Sequence, residues 1–420
     1  LDVNIDLKIP LADDLITKIN ILAVTQNATL HILPADLTIS GLNAEIQITE
    51  NTIFSQQINA QTLGFPIQAK LDYSNANTRV FISGQTDTQH LAQQFPHPLW
   101  AQTDGISDYQ VQLNIPIDNT KSSYIQLSSD LTGIAIDFPP FSKPAAQVHP
   151  LALDMHIKPS GVESFSFNYD NRLAPNDSLD IQLKKIPPHW QGLIHSPIAS
   201  GSVFIPTEFN KNTGMSLILN KLDLSALTDI QLKGESTTFS IADFPSINLV
   251  SQNLYWQGFD LGKLELLTQP EDKGLFIQQL NIATPGRALD LSGHWQQKQT
   301  KNVTSINGTF RDQDFGHFLQ KTQLSSDLVD TGAELQFSLN WPGAPYQISR
   351  ATLSGSVNTQ LTNGRILGVD PGLGRILGAL DIWKLGKRLQ FDFSDITEEG
   401  LSFSDINSTL ALNQGLLSTD

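Results

Sequence analysis

Apolar and polar residues alternate along most of this chain with a period of two. At the N-terminus Leu1, Val3, Ile5, Leu7 and Ile9 take every second place against Asp2, Asn4, Asp6 and Lys8, the pattern of a strand with one dry and one wet face. The alternation returns at Ala44, Ile46 and Ile48, at Tyr109, Val111, Leu113, Ile115 and Ile117, at Leu151, Leu153, Met155 and Ile157, and at Phe165, Phe167 and Tyr169. It continues through Leu179, Ile181 and Leu183, through Leu264 and Leu266, through Leu289, Leu291 and Trp295, and through Leu335, Phe337, Leu339 and Trp341. Turn residues such as Asn75, Asn77, Pro139, Pro140, Pro187, Pro188, Pro342 and Gly343 lie between these runs. Short connections between alternating strands make neighbours antiparallel, so the expectation is an all-β protein of antiparallel strands. About 20 to 25 strands at ~4.8 Å spacing would extend on the order of 100 Å as one sheet, which must curl, close or split. Periodicity alone leaves a sandwich, a barrel and a U-shaped groove open.

One stretch departs from this period. Asp370 suits an N-cap, Pro371 suits the first helical position, and Leu373, Ile376, Leu377, Leu380 and Trp383 recur at the spacing of one helix face. The spacing predicts a short amphipathic helix over residues 371–385, followed by a strand at Leu389, Phe391 and Phe393. Residues 12–19, 90–94, 225–228 and 315–319 are further candidates for one or two helical turns. No Gly/Ser-rich or Pro-rich spacer separates independent cores.

Composition narrows the function. The net charge is −16, from 42 acidic and 26 basic residues, which repels a polyanion and argues against nucleic acid. There are no cysteines, so disulfides, iron–sulfur clusters and cysteine-based zinc sites are excluded. Neither a transmembrane-length apolar run nor a signal-peptide layout is present, and both ends read as cut from a longer protein. The nine histidines form no H-E-x-x-H pair. No G-x-S-x-G elbow or Walker loop occurs, and Asp392 and Asp395 would point to opposite faces of a strand. Gly372 and Gly374 open a helix, but the spacing to Gly378 is one residue too long for a dinucleotide fingerprint. No enzyme, metal site or cofactor is expected.

Charge does stand out near the predicted helix. Arg365, Arg375, Lys384, Lys387 and Arg388 outnumber Asp370 and Asp381 between residues 363 and 390. Lys384, Lys387 and Arg388 either complement the dipole at the helix C-terminus or meet anionic lipid headgroups.

The C-terminal region carries an ordered set of short motifs: WPG at Trp341 to Gly343, NGR before Ile366, DPG at Asp370 to Gly372, and RLQFDFSD followed by EEG. Upstream lie GHW ending at Trp295, FPSINLVSQNLYWQG from Phe244, and DFPPFSKPA from Asp137. In these motifs the chain resembles the YhdP-type AsmA-like family of Gram-negative bacteria. The resemblance implies an elongated, twisted, U-shaped antiparallel sheet, an open β-groove with the short helix near its C-terminal end. It also implies a bridge-like protein, anchored in the inner membrane and crossing the periplasm, that moves phospholipid toward the outer membrane. Phospholipids are then the partner, with both membranes reached through parts outside this stretch.

On such a groove the lining falls to Leu1, Val3, Ile5, Leu7, Ile46, Ile48, Val111, Leu113, Ile115, Leu153, Met155, Phe165, Phe167, Leu264, Leu266, Leu289, Leu291, Leu335, Phe337 and Leu339. The helix with Leu373, Ile376, Leu377, Leu380, Trp383, Lys384, Lys387 and Arg388 would touch a membrane or the groove end. Residues 1–243 would form continuous groove strands, and residues 244–420 the C-terminal region. The competing class is structural, an outer-membrane barrel or a surface β-solenoid. Barrel strands need about 9 to 11 residues and aromatic girdles, and most alternating runs here are shorter.

Overall fold

A computed structural model describes residues 2–8, 18–49, 52–74, 76–118, 120–170, 177–225, 245–298, 301–322, 325–367 and 401–419. The protein is all-β, and the described residues form 25 strands and two short α-helices. They fall into two compact units, one up to Ser200 and one from Gly201 onward.

The first unit is an antiparallel meander. Its strands are β1 (Asp2–Lys8), β2 (Lys18–Ile32), β3 (Leu37–Thr49), β4 (Ile53–Thr62), β5 (Phe65–Ser74), β6 (Asn77–Asp87), β7 (Thr103–Pro116), β8 (Ser123–Ser129), β9 (Ile134–Ile136), β10 (Leu151–Lys158), β11 (Gly161–Tyr169), β12 (Leu179–Ile186) and β13 (His189–His195). Each strand pairs with the next, except that β8 pairs directly with β10 while β9 lies against the start of β7. No pairing joins β1 to β13 among the described residues, so this ladder is open. Helix α1 (Thr88–Gln94) stands between β6 and β7. Asp87 caps it, accepting from His90 N–H at 2.7 Å, an N-cap that satisfies one orphan donor of the first turn.

The second unit follows the same plan. It holds β14 (Ala199–Pro206, from Gly201), β15 (Gly214–Asp223), β16 (Ser246–Trp256), β17 (Phe259–Glu271), β18 (Gly274–Thr284), β19 (Arg287–Lys298), β20 (Lys301–Asp312), β21 (Leu328–Val329), β22 (Gly332–Pro342), β23 (Ser354–Ile366), β24 (Leu401–Asn413) and β25 (Leu416–Thr419). From β16 to β25 the ladder is antiparallel, β20 pairing with β22 and the two-residue β21 with the end of β23. Helix α2 (Phe315–Lys321) connects β20 to β21.

One pair breaks the expected rule: β15 runs parallel to β16, with Leu217 beside Leu249. Parallel neighbours need a crossover connection instead of a tight hairpin, and 22 residues separate Asp223 from Ser246 in the sequence. Several hairpins elsewhere are closed by two-residue turns. Leu63–Gly64, Gln257–Gly258 and Gln414–Gly415 all have positive φ at both positions, the turn whose twist matches that of the flanking strands.

The expected helical turns at residues 90–94 and 315–319 are α1 and α2. In the 12–19 candidate, Lys18 and Ile19 already belong to β2, and residues 9–17 lie outside the described residues. The amphipathic helix expected over residues 371–385 lies outside them too.

Little of this fold is a closed core. The buried apolar cluster of the second unit consists of Ala333, Leu361, Phe403 and Ile406, with Phe315, Leu328 and Ile366 packed against it. It forms where α2 lies over the sheet.

Candidate functional site: an uncovered apolar face

Directly paired residues of an antiparallel ladder point to the same face, so the register can be followed across strands. In the first unit one row runs Ala44, Ile58, Ala69, Ile82, Val111, Leu127, Leu153, Phe167, Ile181, Ile194, from β3 to β13. A second row, two residues along each strand, runs Leu71, Val80, Leu113, Ile125, Met155, Phe165, Leu183. Ile48 pairs with Ile21 and Ile46 with Ala23, and β1 continues these rows, with Val3 opposite Ala23, Ile5 opposite Ile21 and Leu7 opposite Ile19. The scattered apolar runs of the first unit thus fall into one surface.

The second unit has equivalent rows. One runs Leu217, Leu249, Leu266, Leu280, Leu291, Gly308, Phe337, Val357, Leu410. The next runs Leu264, Ile282, Leu289, Phe310, Leu335. A third joins Ile306 to Leu339. Of the residues expected to line a groove, every one within the described residues lies in these registers. Leu1 lies outside them.

This face is not roofed. Val111, Leu127, Leu153, Phe167, Ile181 and Ile194 are all half-buried, as are Leu266, Leu291, Phe337 and Leu339. Ile5 and Ile115 are exposed, at 61% and 42%. Residues in a closed core would be nearly inaccessible. Ala44, Leu183 and Leu264 of the same rows are buried, but most row members remain partly open to solvent.

The face is also almost free of charge. From β2 to β11 the rows of the first unit contain no acidic or basic residue, and on β12 the single exception is Lys185, in register with Trp190. From β17 to β24 the rows of the second unit contain two, Arg287 and Asp312, which pair with each other at 2.6 Å.

Arg287 is also held between two rings, its guanidinium 4.9 Å from the Phe259 centroid and 4.6 Å from that of Phe318 on α2. Phe318 packs in turn on Phe310 and Phe315. This aromatic cluster covers one margin of the second unit's face. Gly316 lets α2 approach β21, since a Cβ there would lie 2.6 Å from Leu328 O.

The opposite face is polar, with rows such as Gln68, Ser83, Gln110, Ser128 and, in the second unit, Asp290, Thr309, Gln336, Asn358, Thr409. Clefts lie between these long side chains, one of them lined by Gln68, Lys70, Gln110, Gln112 and Gln126. They are furrows on the wet side, shallow and without converging chemistry. Among the described residues no group of three metal-ligating side chains occurs. No described helix is long and apolar enough to cross a membrane.

Sequence reading missed several members of the rows. Ile58 follows a register shift after Ser55, and Leu280 follows one after Ile277; each breaks the period of two. Ile82 was hidden by Phe81, an apolar residue on the wet face whose ring is covered by Lys70 Nζ at 4.7 Å. Ile125 and Leu127 did alternate, in a run of only seven residues. The helix residues Leu373, Ile376, Leu377, Leu380, Trp383, Lys384, Lys387 and Arg388 lie outside the described residues.

Comparison with known proteins adds an independent finding. The profile of the family described as "YhdP protein" matches residues 1–178 and 174–420. A relative from Escherichia coli (strain K12), the "Intermembrane phospholipid transporter YhdP", is 31% identical over 140 residues. That match covers 33% of this chain and 11% of the relative, so the chain aligns with only a small part of the relative's length. No solved structure matches the chain.

Proposed function

Because the chain belongs to the YhdP family, we propose that it is part of a periplasmic lipid-transport protein and that its uncovered apolar face carries the acyl chains of phospholipids between the inner and outer membranes, supporting the outer-membrane barrier. The observation that carries this reading is the continuity of the rows. In the first unit an apolar surface crosses ten strands without an acidic side chain, and most of its residues stay partly open to solvent. Such a surface left to water is unfavourable, and apolar patches of this extent on a folded protein mark an interaction. An acyl chain fits it chemically, since each CH₂ removed from water contributes roughly 0.8 kcal/mol, or on the order of 12 kcal/mol for a sixteen-carbon chain. No reaction is involved. Headgroups would stay at the margin, in water, while the chains lie along the rows. A membrane anchor would be supplied by parts of the protein beyond this stretch.

The test is site-specific photo-crosslinking in cells of the full-length protein. A crosslinker at Leu127, in the middle of the first unit's central row, is expected to capture phospholipid, and one at Gln126, on the opposite face of the same strand, is not. Equal capture at the two positions, or none at Leu127, would overturn the reading and favour a purely structural β-protein.

A further inference from the structure

Among the described residues, the one charged residue in the apolar rows of the first unit, Lys185, lies at the end of β12, where the hairpin to β13 turns. Three residues fix its position. Ile181 and Leu183 precede it on the same face of β12, and Trp190 sits directly across from it on β13. Its Nζ is 5.9 Å from the Trp190 ring centroid. That ring is in turn held edge-on by Phe165 of the second row, with centroids 5.6 Å apart. Among the described residues no acidic side chain pairs with Lys185, although the chain carries 42 of them. Its neighbour Lys184 points to the wet face, in register with Ser164 and Gln191.

From this geometry we infer that Lys185 is a headgroup contact: the ammonium group binds the anionic oxygens of an amphiphile whose chains lie on Leu183, Ile181 and the rows beyond. A lysine can lay its stem on apolar surface and keep its charge at the edge, and an aromatic ring beneath the ammonium restrains it there. The result is an apolar floor that ends in one fixed, unneutralised cation, which matches a molecule with an apolar body and a phosphate at one end. Arg287 in the second unit lacks this property, because its charge is already matched by Asp312 and its faces by Phe259 and Phe318. The inference rests on the acyl-chain reading of the face given above.

The experiment measures binding of phosphatidylglycerol, diacylglycerol and palmitate to the purified 420-residue protein, by native mass spectrometry and fluorescence displacement, with circular dichroism as the control for folding. The parent is expected to prefer phosphatidylglycerol over diacylglycerol by about fivefold to tenfold, the scale of one partly solvated charge-assisted contact. Lys185→Gln should remove that preference and leave diacylglycerol binding unchanged, Lys185→Arg should keep it, and Lys184→Gln should match the parent. A preference for phosphatidylglycerol that survives Lys185→Gln, or its absence in the parent, overturns the role of the lysine while the apolar face stands. A parent that binds no diacylglycerol overturns the acyl-chain reading and this inference with it. Loss of phosphatidylglycerol preference accompanied by an equal loss for palmitate assigns Lys185 to anionic heads in general; loss for phosphatidylglycerol alone assigns it to phosphate.

Discussion

Arg287 donates its Nε–H to Asp312 Oδ2 at 2.6 Å, with only 12% and 3% of the two side chains exposed. The pair joins β19 to β20 in the register of the apolar rows and sits beneath the aromatic cluster of α2. A buried pair of this kind adds little net stability over an apolar pair of similar size, but removing one partner leaves an uncompensated charge.

The single variants Arg287→Met and Asp312→Leu should therefore each lose about 3 to 5 kcal/mol, while the double variant recovers most of the loss. Urea denaturation of the four proteins measures the cycle. Additive losses would show that the two side chains do not act as a pair.

Phe337 lies over Gly308, whose added Cβ would meet the Phe337 Cζ at 2.8 Å, and its other side is not covered by a second layer. Phe337→Glu places a carboxylate where an acyl chain would lie, yet leaves it within reach of water. The variant should fold and lose lipid, with Gln336→Glu on the wet face as a neutral control. Circular dichroism combined with a crosslinker at Leu339 reads both properties; an unfolded Phe337→Glu would mean that this face is an ordinary packed core.

Truncation should cost differently on the open face and in the closed cluster. Phe403 is 7% exposed and Leu127 half-buried. Phe403→Ala should destabilise by about 3 to 5 kcal/mol, as deletions in packed cores do, whereas Leu127→Ala should cost roughly 1 kcal/mol because its site is already open. Comparable losses in thermal or urea unfolding would contradict an uncovered face.

Stability should also depend on pH through His149, which is 1% exposed. Tyr169 Oη donates to Phe141 O at 3.0 Å and so accepts from His149 Nδ1–H at 2.5 Å, leaving Nε2 buried with no partner. Burial, and then the charge of Lys143, hold the imidazole below its ordinary pKa of 6.5, against a smaller opposing effect of Asp170. The folded state thus prefers neutral His149. Its contribution is fully present above about pH 6.5 and is lost as the pH falls below that value, where the unfolded chain takes up the proton first. Urea midpoints between pH 8 and 5 should fall more for the parent than for His149→Phe; equal slopes would remove His149 as the cause.

Much of this protein was legible in its residues. Alternation in Leu335, Phe337 and Leu339, or in Leu153 and Met155, fixes a strand with one dry side, because successive side chains of a pleated strand must point in opposite directions. The same logic marks the uncharged character of the face before any pairing is known. Two of the four candidate helical turns, at residues 90–94 and 315–319, are helices, and the structure shows that Asp87 and Asp314 cap them. Register was not legible. Whether Leu127 meets Val111 and Leu153, whether Lys185 faces Trp190, and where Ile58 resumes its phase after a bulge depend on hydrogen bonds between strands, and a one-residue slip would send each side chain to the other face. The parallel pairing of β15 with β16 is likewise a tertiary choice, since alternation is identical in parallel and antiparallel strands. Above all, the period of two shows that one face is apolar but not what covers it. A sandwich, a barrel and an open face share that pattern; the absence of a β1–β13 pairing among the described residues argues against a closed barrel in the first unit, and the half-buried state of Val111, Phe167 and Phe337 argues against a second layer over them, because burial depends on the layer above a residue and not on its neighbours along the strand.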